Sequence, residues 1–236
     1  MSSPVLLVLG AGPGVGLAVA RKFAQHGYKV ALAARNPSEE TSKAADLVIK
    51  TDFSDPSAVV STFEKVKGVL GIPSVVVYNA YSSHRSEGDP FSVSVADFHT
   101  DLAVNATSAF ATAKEAVKGF EYLPKDSSKT FIFTGNILNV RQRVSLTSLG
   151  AGKSATAHVV ANAAATYLDK GFKFYYADER TPDGGPVNND VDGPAHAEFF
   201  YNLARDPKQG TWLATFVKDK GYVDFTAVDR SAPIFV

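Results

Sequence analysis

Short apolar runs alternate along the chain with longer segments whose apolar positions recur at helical spacing. The runs are too short for helices and apolar on both faces, which is typical of parallel strands covered by helices on both sides. Strands are predicted at residues 5–9, 28–34, 47–49, 74–78, 130–134, 172–177 and 222–225. Helices are predicted from residue 17 and at 57–70, 95–120, 150–168 and 194–204. With right-handed crossovers, this alternation predicts an α/β fold with a doubly wound parallel sheet, and residues 1–236 are predicted to form one domain.

The first predicted strand runs directly into a glycine-rich turn that contains Gly10, Gly12, Gly14 and Gly16. At a helix start, the backbone N–H groups of such a turn form an anion site, and the usual anion in this setting is the pyrophosphate of a dinucleotide. The alternative is a plain tight turn between a strand and a helix. The spacing does not fit G-x-G-x-x-G, because Val15 stands where the third glycine would be.

Gly10, Gly14 and Gly16 instead fit G-x-x-x-G-x-G, which resembles the glycine motif of the short-chain dehydrogenase/reductase family. Leu9 stands in place of the threonine that often precedes the first glycine there. The resemblance implies a Rossmann-type, three-layer α/β/α fold and a nicotinamide cofactor. It also implies that Gly10, Gly14, Val15 and Gly16 bind that cofactor.

The segments after the third and fourth predicted strands also resemble this family. The family has an Asp followed by an apolar residue after the third strand, here Asp52 and Phe53, and the resemblance implies that they contact the adenine. An Asp placed near a helix start is the alternative for Asp52, and both roles can hold at once. Asn79 and Ala80 match the family's Asn-Asn-Ala-Gly loop, which passes beside the nicotinamide ribose, and Tyr81 replaces its last glycine.

Arg35 follows the second predicted strand, where a nicotinamide enzyme reads the adenosine ribose. An acidic residue at that place selects NAD, whereas an arginine accommodates the 2′-phosphate of NADP. No acidic residue stands beside Arg35, so NADP is the predicted cofactor and NAD is less favoured. The alternative is an ordinary surface arginine.

The catalytic half of the resemblance is incomplete. Asn105 resembles the family's helix asparagine, which binds a water in the proton relay, and Lys153 heads the apolar stripe of its predicted helix. The alternative for Lys153 is a solvated lysine in a first helical turn. Leu149 occupies the place of the family's tyrosine and Asn136 that of its serine, and the chain contains no Tyr-x-x-x-Lys. The resemblance therefore implies catalytic roles for Lys153 and Asn105 and a cofactor-binding role for Lys153, which would hold the nicotinamide ribose. The family's mechanism does not follow from it.

Reduction of a C=O or C=N bond would require a substitute proton donor within hydrogen-bond reach. Tyr81 is the predicted donor, because it replaces a glycine beside the nicotinamide and because Lys153 can favour the ionised form of a nearby phenol. His84 is the second candidate. Tyr81 packing against the cofactor without a catalytic role is the remaining alternative. Asn136 can donate a hydrogen bond but cannot supply the proton.

The amino-acid composition argues against several classes of partner. Lysine plus arginine and aspartate plus glutamate both number 24, and no long basic run occurs, so neither nucleic acid nor membrane is an expected partner. The absence of cysteine excludes disulfides and thiolate chemistry, and the histidine spacing indicates no metal site. The chain enters its first strand without a charged leader or a cleavage site, so a cytoplasmic location is expected.

These features predict an NADP(H)-dependent oxidoreductase that acts on a small carbonyl, imine or alcohol substrate with a non-standard proton donor. A non-redox isomerase, lyase or cyclase on the same scaffold is one alternative, and a non-catalytic NADP(H)-binding protein is another. The resemblance further implies that helices 95–120 and 150–168 pair across a two-fold axis, so a homodimer or homotetramer is predicted. Both helices are rich in small residues, among them Ala106, Ala109, Ala113, Ala157, Ala161 and Ala164.

Overall fold

A computed structural model describes residues 3–231. The strands are β1 (Val5–Leu9), β2 (Lys29–Ala34), β3 (Leu47–Lys50), β4 (Val75–Tyr78), β5 (Thr130–Thr134), β6 (Lys173–Glu179), β7 (Leu213–Val217) and β8 (Gly221–Tyr222). The helices are α1 (Val15–Gln25), α2 (Glu39–Lys43), α3 (Ala58–Val69), α4 (Val95–Leu102), α5 (Ser108–Phe120), α6 (Thr147–Thr166), α7 (Gly193–Arg205) and α8 (Thr226–Ser231). A π-helical segment, Ala103–Thr107, joins α4 to α5, and 3₁₀ turns occupy Ile137–Asn139, Val144–Leu146 and Leu168–Lys170.

Within residues 3–231 the strands form one sheet in the order β3-β2-β1-β4-β5-β6-β7-β8. All neighbouring strands are parallel except β7 and β8, which are antiparallel. The strand order reverses between β1 and β4, and ligands of doubly wound sheets bind in the crevice outside the strand ends at such a point.

Helices cover both faces of the sheet, and the alternation of side chains along β1 assigns residues to the two faces. Leu6 joins a core cluster with Phe23 of α1 and Phe200 of α7. Leu7 joins a second cluster that contains Phe63 of α3 and residues of α5 and α6. The predicted α/β class and the Rossmann-type, three-layer arrangement are confirmed.

Several element bounds differ from the predictions. Residues 213–217 form a strand that the pattern did not predict, because Thr215 interrupts the apolar run; its hydroxyl is satisfied by the carbonyl of Val223. The strand predicted at 222–225 is confined to β8. The helix predicted over 95–120 is divided by its π segment, and α6 begins three residues earlier than predicted.

Most of the alanines cited for the predicted oligomer are used inside the subunit. Ala109, Ala113, Ala157 and Ala164 are buried in the core cluster under α5 and α6, so they cannot supply a contact between subunits. The outer side of α5 instead presents Phe110, which is 53% exposed.

Residues 3–231 contain neither a candidate membrane-spanning helix nor a candidate metal site. No helix in this range has both the length and the apolar character needed to cross a membrane. No group of three or more His, Cys, Asp or Glu side chains in the same range is arranged to hold a metal ion.

Candidate functional site

The turn after β1 is held against the end of β4 by contacts that only glycine allows. Gly10 has φ +90°, and a Cβ there would lie 2.1 Å from the backbone nitrogen of Ala80. The Asn79 backbone N–H donates to the Leu9 carbonyl at 2.7 Å, and Asn79 Nδ2 donates to the Gly10 carbonyl at 2.8 Å. Asn79 therefore joins the two strand ends that border the crevice.

The remaining glycines of the turn divide into two kinds. A Cβ on Gly16 would lie 2.7 Å from the Ala11 Cα, so this glycine permits the turn to fold back onto the first turn of α1. Gly12 and Gly14, in contrast, have no atom within 4 Å of their Cβ positions. Gly14 is also the N-cap of α1 and brings no side chain to its free N–H groups. The turn thus leaves space beside a helix start, and Val15 is buried behind it.

A cleft of about 370 Å³ lies at the carboxyl ends of the first four strands. It collects most of the residues that the sequence assigned to a cofactor. Its lining consists of Gly10, Ala11, Gly12, Ala34, Arg35, Asn36, Asp52, Phe53, Asn79, Ala80, Tyr81 and Val104. Tyr81 is 67% exposed at this wall, whereas the Phe53 ring packs into the core at 6.0 Å from the Tyr78 ring.

A side pocket at the outer end of the cleft carries two cations. It is lined by Arg35, Asn36, Lys50, Thr51 and Asp52. Lys50 was not predicted as a site residue; the parallel pairing of Ala34 with Lys50 brings it beside Arg35. The Asp52 carboxylate also accepts a hydrogen bond from the backbone N–H of Ser54 at 2.9 Å. This hydrogen bond stabilises the loop after β3 and is independent of any contact with a ligand.

Lys153 is buried, contrary to the alternative of a solvated lysine. Its Nζ donates to the carbonyl of Thr134, the last residue of β5, at 2.7 Å, and lies 4.4 Å from the centre of the Phe133 ring. Burial lowers the pKa of Lys153 to about 7, although the charge of Asp178 acts in the opposite direction. The amine therefore titrates near neutrality at the edge of the sheet.

Asn105 is fully buried in the π-helical segment, an irregularity that is frequent at functional sites. Its Nδ2 donates to the Ser82 carbonyl at 2.6 Å, and its Oδ1 accepts the Ser82 N–H at 3.2 Å. Its main-chain carbonyl accepts from Thr156 Oγ1 at 2.7 Å. A Cβ on Gly152 would lie 2.5 Å from the Asn105 Cβ, so this glycine lets α6 approach Asn105 one residue before Lys153.

Asn136 lies in a structured turn after β5. Its Oδ1 accepts the Leu138 N–H at 3.1 Å, while its backbone accepts from and donates to the Tyr176 hydroxyl at 2.7 and 3.2 Å. Burial raises the pKa of Tyr176 well above its ordinary value, and its proton is committed to a main-chain carbonyl. Leu149 is buried in α6. Neither the Asn136 amide nor the Leu149 side chain has a hydroxyl group that could replace the family's serine and tyrosine.

A buried carboxylate in α4 organises the loop after β4. Asp101 accepts from Ser82 Oγ at 2.6 Å, from the His84 N–H at 2.8 Å and from Ser148 Oγ at 2.5 Å. His84 Nδ1 lies 2.9 Å from the same carboxylate. Burial acts to raise the pKa of Asp101, but the hydrogen bonds from Ser148, Ser82 and His84 outweigh it and the pKa is lowered. Neither Asp101 nor Ser148 was predicted as a site residue.

Asp178 and Arg180 form a second buried charge cluster near Lys153. Arg180 Nε contacts Asp178 Oδ2 at 2.5 Å, and its Nη1 contacts Asp229 at 3.0 Å. Burial raises the pKa of Asp178 to about 6, against the opposing effect of Arg180. Within residues 3–231 the other carboxylate oxygen of Asp178 has no hydrogen-bond partner.

Comparison with known proteins identifies the family. Residues 10–176 match the family described as enoyl-(acyl carrier protein) reductase. The short chain dehydrogenase/reductase dmxR12 of Cryptosporiopsis is 45% identical over an alignment that covers 96% of this chain and 97% of that protein. The chain belongs to the short-chain dehydrogenase/reductase family.

Solved structures share the fold of this short-chain dehydrogenase/reductase. BdcA in complex with NADPH is similar with a TM-score of 0.72 at 17% identity, over 95% of this chain and 97% of that one. A 3-oxoacyl-[acyl-carrier protein] reductase from Brucella melitensis gives 0.76 at 17% identity, over 86% and 90% of the two chains. At these identities the likeness concerns the fold.

The family match includes the glycine turn and both Asn105 and Lys153. In this short-chain dehydrogenase/reductase most of the predicted cofactor residues line one cleft, whereas Gly14, Val15, Gly16 and Lys153 are not among its lining residues. Gly152 packs against Asn105, one residue before Lys153. Sequence reasoning missed the buried Asp101 because a single aspartate in an otherwise amphipathic helix gives no signal of its own.

Proposed function

We propose that this chain is an NADP(H)-dependent oxidoreductase that reduces a small carbonyl or imine substrate, or oxidises an alcohol in the reverse direction. The observation that carries the proposal is the cleft at the strand ends, with Arg35 and Lys50 lining its outer pocket. Two cations in one pocket suit the 2′-phosphate of NADP, whereas NAD enzymes commonly have an acidic residue that binds the free 2′-hydroxyl.

The residues present fit a dinucleotide. Gly10 and Gly16 fill positions that no Cβ can occupy, and Gly12 and Gly14 leave open space at the start of α1. In this proposal the turn and the first N–H groups of α1 bind the pyrophosphate. Asp52 and Phe53 border the adenine, and Asn79 and Ala80 border the nicotinamide ribose. When bound, the cofactor would supply the hydride for a carbonyl or imine carbon, or would accept it in the reverse direction.

The residues around Lys153 would handle the proton and orient the substrate. The amine of Lys153 can hold the nicotinamide ribose and exchange a proton, because its pKa of about 7 allows both protonation states at neutral pH. Asn105 holds the loop at Ser82 in place through two hydrogen bonds. The Nδ2 group of Asn136 can donate to a substrate oxygen, and Tyr81 contributes a phenol to the cleft wall.

The test combines binding and turnover. We expect NADPH at 100 times its Kd to stabilise the fold by about 2.7 kcal/mol, and NADH to give less at equal concentration. A panel of ketones and imines is then incubated with NADPH while nicotinamide absorbance and substrate consumption are followed together. Substrate consumed without nicotinamide oxidation would favour a non-redox enzyme. Absence of any thermal shift with either nucleotide would overturn the proposal.

A further inference from the structure

The imidazole of His84 is oriented by a carboxylate that water does not reach. Asp101 is 0% exposed, and its lowered pKa keeps it ionised at neutral pH. An ionised carboxylate can only accept hydrogen bonds, so the proton of the 2.9 Å contact belongs to His84 Nδ1. The Nε2 atom is therefore the site that gains or loses the second proton. The side chain of His84 is 44% exposed, so part of the imidazole is accessible to solvent.

Asp97 is the other charged group that faces this imidazole. Its Oδ1 lies 3.5 Å from His84 Nε2, and its other oxygen accepts from Ser94 Oγ at 2.8 Å. A contact of 3.5 Å is too long for a strong charge-assisted hydrogen bond, so it leaves Nε2 available to a closer partner. Both carboxylates belong to α4, and the π segment that contains Asn105 follows this helix directly.

The cluster lies beside the position that Leu149 occupies. Ser148 binds the Asp101 carboxylate at 2.5 Å and is also 3.3 Å from the His84 carbonyl. Ser82 links the cluster to Asn105 through its backbone and to Asp101 through its hydroxyl. The imidazole is thus joined, through one residue on each side, to the two helices that hold Asn105 and Lys153.

We propose that His84 is the proton donor of the reductase reaction, and that Asp101 is the residue that positions it. The inference rests on the proposed function. It favours His84 over Tyr81 because His84 is oriented by a buried partner, whereas the Tyr81 side chain is mostly exposed at the cleft wall. An oriented acid can contribute about 10²–10⁴-fold to a rate.

The proton balance is simple. As the carbonyl carbon receives hydride, the electron pair of the C=O π bond moves to its oxygen. That oxygen forms an O–H bond with the proton of His84 Nε2, whose N–H bond breaks. The imidazole is left neutral, with its remaining proton on Nδ1 against Asp101. It recovers a proton from water at its exposed edge, and in alcohol oxidation the neutral Nε2 takes the proton instead.

The experiment uses the full chain with NADPH and the best ketone of the panel. We expect His84→Gln to lower kcat about 10²–10⁴-fold with unchanged NADPH affinity. Exogenous imidazole should restore part of the kcat of His84→Ala, because the site is open to solvent. His99→Gln is the matched control: it removes an exposed histidine from α4, the helix that carries Asp101, and should leave kcat unchanged.

Nitrogen NMR of the labelled imidazole gives a readout that needs no turnover. Neutral His84 should carry its proton on Nδ1 in the wild-type protein, and Asp101→Asn should shift the population toward the Nε2–H tautomer and lower kcat. A wild-type His84 with its proton on Nε2 would overturn the inference, as would unchanged turnover in His84→Gln. Loss of turnover in Tyr81→Phe with retention in His84→Gln would assign the donor to Tyr81. A wild-type protein that binds NADPH but reduces nothing would overturn the proposed function as well.

Discussion

Lys153 Nζ donates a 2.7 Å hydrogen bond to the main-chain carbonyl of Thr134, at the carboxyl end of β5. This contact links the lysine of α6 directly to the edge of the sheet. Burial of the amine in the surrounding protein lowers its pKa from the ordinary value of 10.5 to about 7. Burial at this position therefore destabilises the charged form of the Lys153 amine relative to its neutral form.

Lys153 should make the free energy of unfolding increase with pH between about 7 and 10.5. In this window the unfolded chain binds the proton and the folded chain does not, so the difference in bound protons favours folding as pH rises. Below pH 7 both states are protonated and the contribution no longer changes. Urea unfolding of wild type and Lys153→Met across this range should give a smaller slope for the variant. Equal slopes would show that the amine stays charged in the fold.

Arg35 and Lys50 should determine the preference for NADPH over NADH. Arg35→Asp removes one cation and adds a carboxylate that suits a free 2′-hydroxyl, so we expect the preference to reverse. Lys50→Gln should weaken NADPH binding by about tenfold, corresponding to about 1.4 kcal/mol, and leave NADH binding unchanged. Isothermal titration calorimetry with each nucleotide measures these affinities in the wild-type protein and in both variants. An equal loss for both nucleotides in Lys50→Gln would remove Lys50 from the 2′-phosphate pocket.

Gly10 and Gly12 provide a matched pair in one turn. Gly10→Ala would put a Cβ 2.1 Å from the Ala80 nitrogen at positive φ, so we expect a fold destabilised by more than about 3 kcal/mol or no soluble protein. Gly12→Ala has open space and should retain the wild-type Tm. Its methyl group faces the cleft, so the variant should lose nucleotide affinity. Thermal melts with and without NADPH separate the two effects, and a Gly10→Ala protein as stable as wild type would contradict the geometry.

The chain should form a homodimer or homotetramer through the outer faces of α5 and α6. Phe110 is half exposed on α5, although large apolar side chains favour burial. Light scattering at micromolar concentration should give a mass above that of one subunit, and Phe110→Asp should lower it. Val60→Asp, which adds the same single negative charge at an exposed apolar residue of α3, serves as the charge-matched control. A monomer mass for the wild-type protein would contradict this prediction.

Local sequence determined the parallel α/β class and the glycine turn. Apolar runs such as Val5–Leu9 can be buried on both faces only in a sheet covered by helices on each side. Gly10 and Gly16 follow the same logic, because a turn that folds a helix start back onto its strand leaves no space for a Cβ. These constraints act over a few neighbouring residues, so they can be recognised in the sequence without knowledge of the fold.

Only the tertiary structure decided which side chains come together at the candidate site. Lys50 lies beside Arg35 because β2 and β3 pair in a particular register, and no local pattern encodes that pairing. Asp101 meets His84 and Ser148 across 17 and 47 residues, through the packing of α4 against α6 and the path of the loop after β4. Ala109, Ala113, Ala157 and Ala164 are buried in the core of the subunit for the same reason. A side chain's neighbours depend on how elements are rotated and shifted against one another, and this rotation is set only when the whole core is packed.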